Sequence, residues 1–266
     1  MNEPKPSPLR KRLVLGGAVL LSLVLTLVIG NAVLAARRTL HVINGTPAPL
    51  KVEVGGASVE VAPGEHATLT LAEGEHEARF GESTLRFTIE GSFFERSLGG
   101  SAFVLNPYAA AALRWEEGTF GPRAGEGRPE RILLGSFHTF RSVDLPFQPF
   151  PAQSAVPALT RVDYALGKSG VILGESVPTA GSLDYAEYHL WRSSGSTLLA
   201  AYLDRARKLK ARARARTFLA DGLEREPLDV PWHRSYQDLA RRELGRAELE
   251  RTYGVRSAAA PQSHSA

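Results

Sequence analysis

The chain has 266 residues, no cysteine and a formal charge of +4 at pH 7. The absence of cysteine excludes a disulfide, a thiolate metal site and a cysteine nucleophile. The charge is uneven: residues 1–38 hold six basic and one acidic residue, residues 39–155 nine and fourteen, and residues 156–266 seventeen and thirteen. Because an acidic region separates two basic ones, the composition disfavours a general polyanion-binding protein and a nucleic-acid partner.

An uncharged, apolar stretch runs from Leu13 to Ala36. At about 1.5 Å per residue, a helix of this length reaches roughly 36 Å and can cross a hydrocarbon core of about 30 Å. Four Lys/Arg precede the stretch, whereas Arg37 and Arg38 follow it. Since the more basic flank tends to stay in the cytoplasm, we predict a cytoplasmic tail at 1–12, a transmembrane helix at 13–36 and an extracytoplasmic remainder.

A cleaved signal peptide is the alternative reading of this stretch. Val33 and Ala35 are small enough for positions −3 and −1 of a cleavage site. The apolar run exceeds the usual h-region of about 7–15 residues, which favours a retained anchor. The sequence leaves open whether the helix is cleaved.

Residues 39–145 are predicted to form one β-rich, sandwich-like domain. Segments such as Leu50–Val54 alternate apolar and polar residues, as is typical of antiparallel strands with one solvated face. Turn signals separate the segments at Gly55-Gly56, Pro63-Gly64, Glu73-Gly74 and Gly81-Glu82. One expected hairpin joins residues 67–71 to 76–80. Further strands are expected at Phe93-Phe94, 103–105, 132–134 and 137–140, with a loop at 118–131.

The string VEVGGASVEVAPGEHATLTLAEGEHEARFG lies in this region. It is similar to the small bacterial immunoglobulin-like or PEGA-type β modules, and the resemblance covers residues 40–90. The resemblance implies a sandwich-like module used for display or binding. It carries over no catalytic residue.

Residues 146–184 are predicted to be a proline-containing linker or irregular segment. Pro146, Pro149, Pro151 and Pro157 fix φ and remove the backbone donors that a central strand needs. The string PFQPFP within it could be a groove ligand, although a packed linker arm is favoured. Residues 156–184 receive no assignment.

Residues 185–256 are predicted to form a helical hairpin, followed by a disordered tail at 257–266. The first helix places a stripe of small and apolar residues on one side, at Leu199, Tyr202, Ala206, Leu209, Ala213 and Ala220. Asp229 is expected to cap the second helix, with Pro231 in its first turn. Gly245 is expected to interrupt that helix.

The string LEREPLDVPWHRSYQDLARRELGRAELERTYG weakly resembles a tetratricopeptide-type helical segment, and this resemblance covers residues 198–254. Little more than one repeat matches, whereas such arrays need about three copies to bury a core. The resemblance implies a surface for protein contacts and no chemistry.

A basic cluster occupies the first of these helices, between Arg205 and Arg216. A solvated helix face, an acidic protein partner and anionic lipid headgroups are all compatible with it. Nucleic acid is disfavoured, because no aromatic residue interleaves the cluster. The predicted candidate interaction surface consists of Arg205, Lys208, Arg212, Arg216, Trp232 and Tyr236.

No catalytic, cofactor-binding or metal-binding residues are predicted. The seven histidines show no HExxH spacing, and no GxSxG, P-loop or GxGxxG motif follows a strand. His66 and His76 lie among several glutamates but should be far apart along the expected hairpin. The sequence favours a non-catalytic scaffold or interaction subunit of a bacterial envelope complex, in the inner membrane beside other envelope proteins. It leaves enzymatic activity open, with a membrane-tethered hydrolase of envelope polymers as the alternative.

Overall fold

The computed structural model describes residues 8–98, 100–120, 130–166, 170–192, 196–225 and 229–259. It is an α+β structure with a long N-terminal helix and sheets whose strands pair mainly antiparallel. This confirms the predicted α+β class. The chain divides into two units: residues 1–105 with 137–146, and residues 106–136 with 147–266.

The helices and strands follow in chain order. They are α1 (Pro8–Ala35), β1 (Arg38–Ile43), β2 (Leu50–Val54), β3 (Ala57–Val61), β4 (His66–Leu71), β5 (Gly74–Phe80), β6 (Ser83–Ile89), α2 (Phe93–Leu98), β7 (Ala102–Leu105), a 3-10 helix (Pro107–Ala109), β8 (Ala112–Thr119), β9 (Glu130–Leu133), β10 (Phe137–Phe140), β11 (Leu145–Pro146), β12 (Ala158–Ala165), α3 (Gly170–Glu175), α4 (Ala180–Arg192), α5 (Ser196–Lys208), α6 (Arg212–Arg225), α7 (Val230–Glu243) and α8 (Arg246–Ala259).

Helix α1 contains the predicted apolar stretch except its last residue, Ala36. Within the described residues, Gly16–Ala35 is the one helical segment long and apolar enough to cross a membrane, by length and composition. None of this segment is buried against the rest of the protein. The helix begins at Pro8, before the predicted start at residue 13, because the basic residues ahead of the stretch are also good helix formers.

The first unit contains two four-stranded sheets, in the orders β10-β7-β1-β4 and β3-β2-β5-β6. Their apolar side chains form its core, with Leu40, Phe103 and Ile89 at most 1% exposed. The rings of Phe87 and Phe137, one from each sheet, have centroids 4.5 Å apart. The two sheets therefore meet through this aromatic contact, in which Phe87 is buried and Phe137 half-buried.

The expected hairpin of residues 67–71 with 76–80 is wrong. Strand β4 pairs with β1, whereas β5 pairs with β2 and β6. The physical reason lies in β1, which is buried along nearly its whole length and needs a neighbour on each edge. It finds β4 on one edge and β7 on the other, and the turn at Glu73-Gly74 passes between the sheets.

The expected strand at Phe93-Phe94 is also wrong, because these residues begin helix α2. The Ser92 hydroxyl accepts a hydrogen bond from the Glu95 amide at 3.3 Å, and the Glu95 carboxylate accepts one from the Ser92 amide at 2.7 Å. This is a capping box, which satisfies two amides at a helix start. The Ser-x-x-Glu spacing was readable in the sequence.

The second unit combines a sheet with the C-terminal helices. Its strands pair antiparallel in the order β12-β8-β9, and its core includes Leu183, Tyr185 and Tyr202. Buried Asn106 fastens the start of the unit, since its side-chain amide donates to the Ala111 and Gly135 carbonyls at 2.8 and 2.9 Å.

The predicted domain limits differ from these units. Residues 106–136 belong with the C-terminal helices rather than with the first β-rich region. The predicted irregular segment contains β12 and α3, because the eight residues of β12 pair along the length of β8 beyond the prolines. Of the predicted loop at 118–131, residues 121–129 lie outside the described part of the chain, as do tail residues 1–7 and 260–266.

The C-terminal region holds more helices than the predicted hairpin. The long first helix breaks into α5 and α6 at residues 209–211, where Lys210 has a φ of 56° and the Ala211 amide bonds to the Ala206 carbonyl at 2.8 Å. The Asp229 cap is confirmed, because its carboxylate accepts from the Trp232 amide at 3.1 Å. Gly245 separates α7 from α8, as predicted, with a φ of 83°.

Candidate functional site

The structure does not bring the six residues of the predicted interaction surface onto one surface. Arg205, Trp232 and Tyr236 are 4, 6 and 4% exposed. Lys208 and Arg212 are exposed, and Arg216 is half-buried. The first three are part of the helical core, so the prediction was wrong for them.

Arg205 stabilises the end of helix α3. Its guanidinium donates to the Ser176 carbonyl at 3.0 Å and also to the Leu173 carbonyl. These carbonyls lie at or just after the last turn of α3, where a cation is favoured by the helix dipole. Burial lowers the pKa of Arg205 from its usual value. The periodicity of the basic cluster could not distinguish this buried cation from its exposed neighbours.

Trp232 joins α7 to α6. Its indole N–H donates to the Leu219 carbonyl at 2.7 Å, and its ring covers Gly222. A Cβ atom at Gly222 would lie 2.2 Å from the ring, so this close approach requires glycine. Tyr236, one helical turn further along α7, is buried in the same core.

Arg214 fixes α6 against α4. Its guanidinium donates to Asp184 at 2.5 Å and to Glu187 at 2.6 and 2.9 Å. The Tyr202 hydroxyl donates to the same Glu187 carboxylate at 2.8 Å. Burial, together with the charge of Glu187, raises the pKa of Tyr202 well above its usual range. These contacts make α4, α5 and α6 a fixed support for the surface that they present.

A groove of about 340 Å³ lies between α5, α6 and α7. Its apolar lining consists of Leu203, Ala206, Ala215 and Leu239. Its polar lining consists of Asp204, Arg207, Arg212, Ser235, Asp238 and Arg242. The small side chains of Ala206 and Ala215, both 1% exposed, leave the space that forms its floor. We define these ten residues as the helical groove.

The charges around the helical groove are not balanced. Asp204 forms ion pairs with Arg207 at 2.6 Å and with Lys208 at 2.8 Å. The hydrogen bond from Lys208, and to a smaller extent that from Arg207, lowers the pKa of Asp204. Asp238 faces Arg241 at 3.9 Å. Arg212 and Arg242 form no ion pair with any residue in the described part of the chain. Within the described residues, these two cations of the groove have no carboxylate partner and could bind an anionic group.

The predicted surface included Arg212, but on α7 it included the buried Trp232 and Tyr236 and missed the face of that helix that lines the groove. Ser235, Asp238, Leu239 and Arg242 recur at steps of three, one and three residues, which places them on one face of that helix. That spacing was visible. The sequence did not show which other helices this face contacts.

A second concavity, of about 550 Å³, lies on the first unit and is lined by Glu53, Glu75, His76, Glu77 and Arg79 among others. Its carboxylates and histidine are the residue types that a hydrolytic site would use. Lys51 hydrogen-bonds to Glu53, and Arg79 and Arg86 hydrogen-bond to Glu77, which lowers the pKa of both carboxyls. A general acid needs the opposite shift. The arrangement is suited to solvated ion pairs rather than to proton transfer.

The two histidines considered at the sequence level lie in different sheets. His66, in β4, has its ring centroid 6.3 Å from that of His41 in β1. His76, in β5, forms a hydrogen bond with the Ala72 carbonyl at 2.8 Å, and its ring centroid lies 5.7 Å from that of Phe87. Among the described residues, no group of three or more His, Asp or Glu side chains is placed to hold a metal ion.

Comparison with known proteins gave no match to a family model, to a curated protein or to a solved structure.

Proposed function

We propose that this protein is a membrane-anchored, extracytoplasmic interaction subunit of a bacterial envelope complex, and that its helical groove binds an acidic segment of a partner protein. Helix α1 carries the proposal, because 20 of its residues form an apolar segment with no part buried by the protein. An apolar surface of this size is costly in water and matches the thickness of a bilayer.

The orientation is inferred from the charges that flank α1. Lys5, Arg10, Lys11 and Arg12 precede the apolar segment, and Arg37 and Arg38 follow it. The richer flank favours the cytoplasm, which leaves both folded units outside. We infer that the first unit is a sandwich-like module, as its resemblance to immunoglobulin-like and PEGA-type modules implies.

The helical groove supports an acidic partner segment for two reasons. Its apolar floor can take aliphatic side chains, and Arg212 and Arg242 at its rim lack carboxylate partners among the described residues. Planar guanidinium groups bind carboxylates in a fixed, bidentate geometry. The weak tetratricopeptide resemblance of residues 198–254 implies a surface for protein contacts, which agrees with this role.

Orientation can be tested with single cysteines, since the native chain has none. In spheroplasts, an impermeant maleimide should label the variant Ser58→Cys, whose position is exposed in β3, and should not label Ser7→Cys. The protein should remain in the membrane fraction after a carbonate wash. Labelling of Ser7→Cys alone would reverse the topology, and release without detergent of a chain beginning near Ala36 would indicate a cleaved signal peptide.

Groove binding can be tested by photo-crosslinking from position 239 in cells. A crosslinkable aromatic residue at Leu239 should capture a discrete partner. Reversing two charges, with Arg212→Glu and Arg242→Glu, should weaken binding about 30-fold, since each reversal costs roughly 1 kcal/mol. The matched control reverses Arg234 and Arg246, which lie outside the groove lining. An equal loss of partner binding in both double variants would contradict a specific role for the helical groove.

A further inference from the structure

Glu73 fastens the end of α1 to the first unit. Its amide donates to the Ala35 carbonyl at 2.8 Å, at the last residue of the helix. Its carboxylate accepts from Arg96 Nε at 2.8 Å, while Arg38 Nε lies 3.6 Å away. The Glu73, Arg38 and Arg96 side chains are only 13, 10 and 19% exposed. Such well-shielded, shared ion pairs hold geometry more firmly than surface pairs do.

The same cluster places α2 beside α1. Arg96 of α2 donates from Nη1 to the Asn31 side-chain oxygen at 3.2 Å. Asn31 lies four residues before the end of α1, and at about 1.5 Å per residue this is a depth of roughly 6 Å from the helix end. If Gly16–Ala35 spans the hydrocarbon core, α2 is held at the boundary between headgroups and acyl chains.

Helix α2 exposes two large aromatic side chains at this level. Phe93 is 41% exposed and Phe94 71% exposed, and the latter value is the highest among the large apolar side chains that the structure describes outside α1. Phe93 lies three residues before Arg96, so it shares the side of α2 that contacts α1. Exposed Arg37 lies two residues after the end of α1, where it can meet lipid phosphate. Apolar rings with nearby cations are typical of helices that lie in a membrane interface.

We propose that α2 is a membrane-interface helix, whose Phe93 and Phe94 rings enter the boundary between headgroups and acyl chains of the outer leaflet. The proposal rests on the proposed membrane anchor. Through Glu73 and Arg96, this contact fixes the orientation of the first unit relative to the membrane surface.

The test uses spin labels on the full-length protein, reconstituted in nanodiscs of phosphatidylcholine and phosphatidylglycerol. Single cysteines replace Phe94 in α2, Ser22 in α1 and Ser58 in β3. Accessibility to oxygen and to a water-soluble nickel complex reports depth. We expect the labels at 22 and 94 to favour oxygen and the label at 58 to favour nickel.

The outcomes separate the two proposals. A label at 22 that favours nickel would overturn the anchor itself. A label at 22 that favours oxygen, with a label at 94 that favours nickel, would overturn only the interface helix. A label at 94 that is shielded from both reagents would indicate that protein covers α2. That result would also overturn the proposal of an interface helix.

A second variant tests the fastening. Glu73→Gln should make the label at 94 more mobile and should reduce its preference for oxygen, because Arg96 loses its charged partner. Glu75→Gln, an exposed position two residues away, is the matched control and should leave the label at 94 unchanged. An unchanged label at 94 in Glu73→Gln would show that Glu73 does not position α2.

Discussion

His41 is a buried titratable group in the central strand β1, with 9% of its surface exposed. Burial, aided by the charge of neighbouring His66, lowers the pKa of His41 from 6.5 to about 4. The folded protein therefore holds this ring neutral, whereas the unfolded chain protonates it below about pH 6.5. Keeping His41 neutral therefore costs the folded protein no stability above pH 6.5. As the pH falls from 6.5 toward 4, the unfolded chain is protonated more readily, and the free energy of unfolding decreases.

The pH dependence gives a prediction for His41→Gln. A shift of this size corresponds to about 3 kcal/mol. Between pH 7 and pH 4, wild-type protein should therefore lose about 3 kcal/mol more unfolding free energy than the variant. Urea denaturation in detergent, followed by circular dichroism, measures this difference. An equal pH dependence of the unfolding free energy in wild type and His41→Gln would contradict the prediction.

Residue types alone did not separate buried from exposed cations. Arg205 and Lys208 are three residues apart in the same basic cluster, yet Arg205 is buried against α3 and Lys208 pairs with Asp204 at the surface. The difference arises from which element packs over each position. That information lies in residues 170–176, far from the cluster in sequence.

At the scale of elements, the close approach of α6 and α7 depends on Gly222. Gly222→Ala should destabilise the second unit by about 1–3 kcal/mol, because its Cβ would overlap the Trp232 ring and force the helices apart. Urea denaturation followed by tryptophan fluorescence measures the change. Gly254→Ala in α8 is the matched control: nothing lies within 4 Å of its Cβ, so it should be neutral or stabilising by about 0.5–1 kcal/mol.

Local signals identified helix ends better than strand partners. Asp229 and Pro231 predicted the start of α7, because caps act within one turn of the helix. The Ser92 to Glu95 spacing carried the same kind of signal for α2, although a strand was predicted there. The alternating strands of the first unit had the right segments. The pairing of these strands depended on buried β1, which needs a neighbouring strand on each edge. Turn residues do not encode which strands become those neighbours.

At the scale of the whole molecule, residues 106–136 interrupt the first unit. The interruption begins and ends at paired positions, since Leu105 of β7 is the register partner of Phe137 of β10. Two of its apolar residues, Leu113 and Leu134, are 0 and 2% exposed within the second unit. The first unit should therefore fold without the insertion.

This arrangement gives a prediction for two fragments of the anchored chain. The fragment of residues 1–146 should aggregate, because it retains residues 106–136 but lacks β12 and the helices that bury their apolar side chains. The same fragment with residues 106–136 replaced by a two-residue Asn-Gly turn should be monodisperse and unfold cooperatively, since that turn joins antiparallel partners. Size-exclusion chromatography and thermal melts in detergent distinguish them. Aggregation of both fragments would contradict the independence of the first unit.

The sequence by itself determined the features that contiguous residues encode. The uncharged run from Leu13 to Ala36 encodes an apolar helix that the rest of the protein does not cover. Alternating apolar and polar residues encode the strands between residues 50 and 89, because successive side chains of a strand point to opposite faces of the sheet. Tertiary structure decided the rest. The proximity of His41 to His66, the burial of Arg205 and the helical groove each require residues from separate elements to meet, and pairwise packing across long sequence separations is set by the whole core rather than by any local pattern.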